Sequence, residues 1–385
     1  MRPEVELLLC CADTSIDTAG AERIKVLLRT DLDWASLLQT AGRHGVMPLL
    51  SRSLRAVSPE DAPPTILAEL RYHSRANAAR TLFLTDGLLK LLKLLEAHVI
   101  PALPYKGPIL AASIYGNLAL REFFDLDILV HERDYQRAQR LLSTSAYRLI
   151  EAFENESTYV DSNGTVAVDL HKRMTSREFP SPLQFEHLWE RRHHTVLLGT
   201  KVPSLSPEDT LLMLAIQISK DAGSRYFQLV KLCDMAALLR ASPSLDLAQS
   251  LFYARQGGGE RMLLFSLALV NDLLGVRMPQ ACLRAIRSHP SIGRLVEAAQ
   301  RQLFQNEAPV VAERRTVETF RWHVRERLRD KLHPYYLRYI YNAFAPCNLD
   351  RQLVPLPRRL AFLYYGIRPM RLVCKYGSLL LRGRL

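Results

Sequence analysis

Apolar residues recur along the chain with two different periodicities, and the changes from one to the other divide the chain into three regions. In residues 1–95 they recur every three or four positions, as in "DWASLLQTAGRHGVMPLLSRSL" and "LFLTDGLLKLLKLLEAH", which predicts amphipathic helices. The same spacing returns after Ser206. Between these regions, short alternating runs indicate strands. We therefore predict an N-terminal helical region (1–95), an αβ core (96–205) and a C-terminal helical region with a basic tail (206–385).

The middle region combines strands with helices. Four runs predict strands: "IPALPYK", residues 123–130, "YRLIEA" and "TVAVDLH". Residues 109–115 and 133–143 have helical spacing, and "TVLLGTKVPSL" predicts a hairpin with Gly199 and Thr200 at its tip. The predicted fold class is α+β, in which a small mixed sheet is flanked by helical regions at both ends of the chain.

The C-terminal helical region has a clear start and one internal break. In "SPED", Ser206 is placed to cap a helix, Pro207 suits its first position, and Asp209 completes a capping box. The three glycines at 257–259 predict the end of a later helix.

Two acids interrupt the strand at 123–130. Asp125 and Asp127 are two residues apart, so both project from one face of the strand while its apolar residues cover the other. Asp169 alternates with apolar residues in the same way in "TVAVDLH". If the two strands are neighbours, three carboxylates converge, and such oxygen ligands suit Mg²⁺ or Mn²⁺ in two-metal phosphoryl chemistry. The alternative is a solvated sheet edge carrying three unrelated acids.

His171 shares a face with Asp169 in the same strand. A lone histidine in such a place is more often a hydrogen-bonded neighbour than a metal ligand. We therefore leave His171 outside the predicted catalytic set.

Lys106 and Gly107 lie between a predicted strand and a predicted helix. Backbone N–H groups and a lysine at such a place can receive phosphate oxygens, and a glycine lets the backbone approach them closely. The chain contains neither G-x-x-x-x-G-K-[ST] nor, after any of these strands, G-x-G-x-x-G. Phosphate binding would therefore use a different scaffold.

These residues together resemble a known superfamily. The order of turn, helix, D-x-D strand and a later lone Asp resembles the nucleotidyltransferases that include polymerase beta and the antibiotic nucleotidyltransferases. More closely, "YKGPILAASIYGNLALREFFDLDILV" is similar to an uncharacterised bacterial nucleotidyltransferase family with the pattern K-G-x-x-L…Y…R-x-x-x-D-[IL]-D-x-L-V. The matching positions are Lys106, Gly107, Tyr115, Arg121, Asp125 and Asp127. One departure is Pro108, which stands where the superfamily has a phosphate-binding serine.

The resemblance implies transfer of a nucleoside monophosphate, with AMP from ATP as the expected donor reaction, to an acceptor oxygen. Asp125, Asp127 and Asp169 are the implied catalytic residues and ligands of Mg²⁺ or Mn²⁺, and pyrophosphate is the implied leaving group. The residues implied to bind the triphosphate are Lys106, Gly107 and Arg121. A small molecule, a peptide, a protein and an RNA end all remain open as the acceptor. The alternatives are another phosphotransferase, and a non-catalytic nucleotide-binding or assembly protein with the same core.

The net charge of the chain predicts an anionic partner but does not identify it. Lys and Arg outnumber Asp and Glu by 51 to 39, which gives a formal charge of +12 and favours nucleotides, nucleic acid or an acidic membrane surface. The tail "RRLAFLYYGIRPMRLVCKYG" could contact such a surface, but we predict a packed terminal helix pair with a basic rim, because Pro369 interrupts it.

Composition also narrows the setting of the protein. The six cysteines form no C-x-x-C pair, so neither a zinc site nor a disulfide framework is predicted. No window reaches about 18 uncharged apolar residues, so no transmembrane segment is predicted. Because residues 1–12 also lack the pattern of a signal peptide, we predict a cytoplasmic protein.

Overall fold

The structure is a computed structural model that describes residues 2–14, 16–175, 179–304, 310–332, 344–345, 350, 354 and 357–380. Residues Met1–Glu326 form one compact unit, and Arg327–Leu385 form a second. The predicted α+β class is confirmed, because helices precede and follow a five-stranded mixed sheet. The predicted boundaries after residues 95 and 205 stay predictions.

Helices open the first unit, and the last of them is 34 residues long and leads to the sheet. They are α1 (Pro3–Cys11), α2 (Thr18–Leu28), α3 (Trp34–Arg43), α4 (Met47–Val57) and α5 (Pro64–Ala97). The apolar spacing predicts α5 only over its second half, whereas the helix starts at Pro64. Proline suits the first turn of a helix, and Leu70 in this early part is fully buried.

The αβ region contains the sheet. Its elements are β1 (Ala102–Pro104), α6 (Pro108–Tyr115), β2 (Asp125–Val130), α7 (Glu132–Thr144), β3 (Tyr147–Ala152), β4 (Glu156–Asp161), β5 (Ala167–His171) and α8 (Phe185–Glu190). The strand order is β1-β2-β5-β4-β3, in which β2 and β5 are parallel and the other neighbours are antiparallel. All four strands predicted here are present, and β4 is an additional one.

One face of the sheet carries the apolar residues that the alternation predicts. They form a core with α5 and α7, and among its members are Leu126, Ile128, Val130, Val168, Leu170, Leu88, Leu91, Ala138 and Leu142. Because side chains alternate along a strand, Asp125, Asp127 and Asp169 lie on the opposite face. The hydrophobic pattern thus fixes the direction in which these acids point.

A separate two-stranded sheet follows, made of β6 (His193–Leu197) and β7 (Thr200–Ser204). The predicted hairpin is confirmed, but its tip is wrong by one residue. Leu197 pairs with Thr200, so the two-residue turn is Leu198-Gly199, and both residues have positive φ (47° and 81°). Two positive φ values match the twist that a tight hairpin requires.

The first unit ends in helices α9 (Pro207–Asp221), α10 (Leu229–Ala241), α11 (Leu247–Gly257), α12 (Glu260–Leu274), α13 (Gln280–Arg287), α14 (Pro290–Phe304) and α15 (Val310–Val324). The predicted N-cap is confirmed, because the backbone N–H of Asp209 donates to Ser206 Oγ at 3.1 Å. The predicted break is confirmed as well, since α11 ends at left-handed Gly258. These helices share one hydrophobic core with α1–α4.

The second unit contains a 3₁₀ segment (Arg358–Leu363) and a helix (Tyr364–Leu380) with Pro369 inside it. Asp350 is fully buried there and accepts bonds from Arg368 (3.1 Å) and Arg371 (2.6 Å). The predicted interruption at Pro369 is wrong, because one helix continues through this residue and is preceded by the 3₁₀ segment. A proline removes one backbone donor from a helix, and the neighbouring turns can continue past it. Among the residues that the structure describes, no helix has the length and apolarity needed to cross a bilayer.

Candidate active site

The two acid-bearing strands are parallel neighbours, so the condition on which the predicted convergence of the acids depends is met. In the β2–β5 ladder, Asp127 pairs with Asp169, and Leu129 pairs with His171. Residues paired across a ladder project from the same face, so the Asp127 and Asp169 carboxylates stand side by side. Asp125 lies two residues before Asp127 on that face. The sheet therefore brings all three predicted acids to one surface.

The Lys106-Gly107 turn closes over this surface from β1. The backbone N–H of Tyr105 donates to the carbonyl of Asp127 at 3.4 Å, which extends the β1–β2 pairing to the turn. Lys106 Nζ then lies 2.8 Å from Asp127 Oδ1. The Asp127 side chain is 5 % exposed and that of Lys106 is 25 % exposed. The predicted phosphate-binding lysine thus forms a direct ion pair with a predicted metal ligand.

Gly107 caps α6 in a backbone conformation that other residues rarely adopt (φ 51°, ψ −120°). A Cβ added there would lie 3.3 Å from the carbonyl oxygen of Asp125. Gly107 is therefore what allows the turn to approach β2 so closely.

We expect Gly107→Ala to lower the free energy of unfolding toward the upper end of roughly 1–3 kcal/mol, because strain and a close contact coincide. Urea unfolding monitored by circular dichroism measures this change. Gly116→Ala is the matched control, since Gly116 also has a positive φ (64°) but no described atom lies within 4 Å of the added Cβ. The control should cost about 1 kcal/mol. Equal costs for the two variants would contradict a special role for the Gly107 turn.

His171 lies beside the acids, although the sequence pattern alone does not predict it as part of the site. Its Nε2 lies 3.2 Å from Asp127 Oδ1, and its Nδ1 lies 3.3 Å from Glu156 Oε2 on β4. The residue is buried, at 6 % exposure. The nearby Asp169 Oδ1 accepts a bond from Thr158 Oγ1 at 2.7 Å. The available signal for His171 in the sequence is its position two residues after Asp169. Its partner Glu156 lies on β4, the strand that the sequence pattern did not predict.

Asp127, Asp169 and His171 form a group with the composition of a metal site. One ligand atom from each lies within 4.8 Å of those of the other two. Two carboxylates and an imidazole at such separations can surround a divalent cation. Among the residues described, this group brings together two of the three predicted ligands.

Asp125 and Asp127 differ strongly in their electrostatic environments. Burial, reinforced by repulsion from Asp127, raises the pKa of Asp125 to about 6 despite the attraction of Lys106. Burial alone would also raise the pKa of Asp127, but Lys106 and His171 outweigh it and hold that pKa well below its usual range. Of the two carboxyls, Asp127 is therefore the stronger acid and Asp125 is the weaker one.

The pKa values of Lys106 and His171 are both raised by nearby carboxylates, and Asp127 acts on both side chains. Burial would lower the pKa of Lys106, but Asp127 and Asp125 raise it above its ordinary value. Burial likewise opposes the charge on His171, whereas hydrogen bonds to Asp127 and Glu156 raise the pKa of the imidazole. The Lys106 and His171 side chains thus both lie against Asp127.

Arg121, a predicted phosphate ligand, has a different partner. Its Nε and Nη2 donate to the carboxylate of Asp234 on α10 at 2.9 Å each, and this carboxylate also accepts from Tyr115 at 2.8 Å. Asp234 is 1 % exposed. This buried ion pair joins the segment before β2 to the C-terminal helices. A role for Arg121 in binding phosphate stays a prediction.

Comparisons with known proteins bear on the same region. A search of the solved structures finds an antigenic nucleotidyltransferase-like protein from Paracoccidioides brasiliensis, with 16 % identity and a TM-score of 0.34. The match covers 59 % of this chain and 97 % of that one. No curated protein matches the chain. Residues 30–275, more than half of the chain, match the family described as "Uncharacterised nucleotidyltransferase" and include every candidate site residue above. The chain therefore belongs to this uncharacterised nucleotidyltransferase family.

Proposed function

We propose that the protein transfers a nucleoside monophosphate, AMP from ATP, to the hydroxyl of an acceptor and releases pyrophosphate. One observation carries the proposal. Asp127 and Asp169 stand side by side on parallel strands, with the Lys106 ammonium 2.8 Å from Asp127. Acids and a lysine in this arrangement are suited to binding a triphosphate together with divalent cations.

The residues that would hold Mg²⁺ or Mn²⁺ are Asp125, Asp127 and Asp169. Asp127 and Asp169, together with His171, supply ligand atoms within 4.8 Å of one another, which fits a cation site. A bound cation would neutralise charge on the triphosphate and make the acceptor hydroxyl more acidic.

The chain's own residues have separate roles in this proposal. Gly107 lets the N-terminus of α6 approach the phosphates, and Lys106 binds their oxygens. Asp169 orients the acceptor hydroxyl and takes its proton. The acceptor oxygen forms a bond to the α-phosphorus while the bond between this phosphorus and the bridging oxygen to the β-phosphate breaks. Arg121 would add charge on the phosphate side if its guanidinium reaches past Asp234.

A second candidate function is that of a nucleotide-binding or assembly protein that binds a nucleotide without turnover. It is favoured by the ion pair and hydrogen bond that Lys106 and His171 make to Asp127, since they already satisfy that carboxylate. A core satisfied in this way can be retained for binding alone.

The two functions are distinguished by incubating the full chain with each of the four α-labelled nucleoside triphosphates and Mg²⁺ or Mn²⁺. Release of pyrophosphate and a nucleotide mass shift on an acceptor are expected, with ATP as the best donor. Small hydroxylated metabolites, peptides, proteins and RNA ends are offered in turn. Nucleotide binding without pyrophosphate release from any of these mixtures would favour the second function.

A further inference from the structure

A histidine that the proposed reaction does not use lies in the middle of the acid cluster. His171 is buried between strands, and the edge of its ring meets the ring of Tyr105 with 5.6 Å between the centroids. One ring nitrogen faces Asp127 and the other faces Glu156. The ring is therefore fixed in orientation from three sides.

Glu156 determines which nitrogen remains available to the site. Glu156 and His171 are paired residues of the β4–β5 ladder, so the Glu156 carboxylate lies beside the ring, with Oε2 3.3 Å from Nδ1. When Nδ1–H donates to this carboxylate, Nε2 is directed toward Asp127. A carboxylate that holds the far nitrogen of a histidine in this way is the usual support for a metal-binding imidazole.

We propose that His171 is a nitrogen ligand of the catalytic cation, held in place by Glu156, and that the site prefers Mn²⁺ to Mg²⁺. The inference rests on the proposed function and names the cation of the same site. His171, Asp127 and Asp169 supply ligand atoms within 4.8 Å of one another. Mg²⁺ favours oxygen ligands in strict octahedral geometry, whereas an imidazole nitrogen suits first-row transition metals.

The competing explanation is that His171 only donates a hydrogen bond to Asp127. Lys106 Nζ lies 2.8 Å from the same Oδ1 atom, so Asp127 has a cationic partner without His171. A hydrogen-bonding histidine would leave no nitrogen signal on a bound metal. This difference makes the role of His171 measurable independently of turnover.

The test is pulsed electron paramagnetic resonance of Mn²⁺ added to the full chain. Modulation from a directly bound ¹⁴N is expected, and it should change to the ¹⁵N pattern in protein labelled with ¹⁵N-histidine. His171→Gln should abolish the modulation. His194→Gln, at an exposed position of β6, is the control and should leave it unchanged.

Metal titrations test the supporting role of Glu156. We expect Glu156→Ala to weaken Mn²⁺ binding by about 10–100-fold, and Glu156→Gln, whose amide oxygen can still accept from Nδ1–H, to restore part of it. Because the Glu156 side chain is 46 % exposed, these variants keep the core intact even if His171→Gln fails to fold. Wild type should prefer Mn²⁺ over Mg²⁺ by at least about 10-fold. This preference should fall in Glu156→Ala and in His171→Gln.

The outcomes separate the two proposals. Mn²⁺ binding that Asp127→Asn removes, but that carries no nitrogen modulation, would overturn the role of His171 and leave the proposed function standing. Unchanged Mn²⁺ affinity and selectivity in Glu156→Ala would overturn the supporting role. If the wild-type chain binds neither cation, both the ligand assignment and the metal-dependent reaction are wrong.

Discussion

Asp127→Asn is expected to lower nucleotidyl transfer by at least about 100-fold, which is roughly 2.7 kcal/mol of transition-state stabilisation. Asparagine keeps the size of the side chain but removes the charge that faces Lys106 and His171. It would also remove a metal ligand next to Asp169. Release of pyrophosphate from ATP, measured under saturating Mg²⁺ or Mn²⁺, gives the effect.

The control for this substitution is Asp86→Asn. Asp86 lies on α5 with its side chain 53 % exposed, and it pairs only across one helical turn with Lys90 in the described structure. Its replacement should leave pyrophosphate release unchanged. Circular dichroism of Asp127→Asn separates a folded but inactive variant from an unfolded one. Turnover that persists in folded Asp127→Asn would exclude this carboxylate from the reaction.

Asp234→Ala is expected to destabilise the protein by about 3–5 kcal/mol, the cost of leaving one partner of a buried ion pair without the other. Asp234 is 1 % exposed and accepts bonds from Arg121 and Tyr115. Removing it would leave the Arg121 guanidinium, 11 % exposed, without its carboxylate. Urea unfolding gives the change in the free energy of unfolding.

Two other substitutions test whether the loss of stability in Asp234→Ala comes from leaving the buried Arg121 charge without its partner. Tyr115→Phe removes one hydrogen bond and keeps the ion pair, so it should cost about 1–3 kcal/mol. Asp86→Ala breaks an exposed ion pair and should cost no more than about 1 kcal/mol. A loss in Asp234→Ala no larger than that in Asp86→Ala would contradict the structural role of this pair.

Local pattern predicted most of the elements that position the site. The alternation along β2 and β5 was sufficient to predict which face of the sheet carries the acids, because apolar residues on one face require the acids to lie on the other. The strand β4 was missed because its strand-favouring residues, Thr158, Tyr159 and Val160, form only a short run between acids that disfavour strands. It forms because it pairs with β3 on one side and β5 on the other. Pairing partners distant in sequence are invisible in a local pattern.

The same limit explains what was missed in the candidate site. His171 stood in the sequence as a lone histidine, and only the β4–β5 ladder placed Glu156 beside it. Arg121 matched a family position, but its carboxylate partner lies 113 residues further along the chain. Neither contact follows from spacing, because each depends on which elements pack together.

The α+β class, the faces of the strands and the cap of α9 follow from the sequence alone, whereas the role of the three acids as cation ligands stays a prediction. These features depend on periodicity and short-range geometry, which are written in neighbouring residues. The contacts of Lys106 and His171 with Asp127, and of Arg121 with Asp234, depend instead on how the elements pack in three dimensions. Strand order and helix packing bring these partners together from distant parts of the chain, so the contacts cannot be read from neighbouring residues.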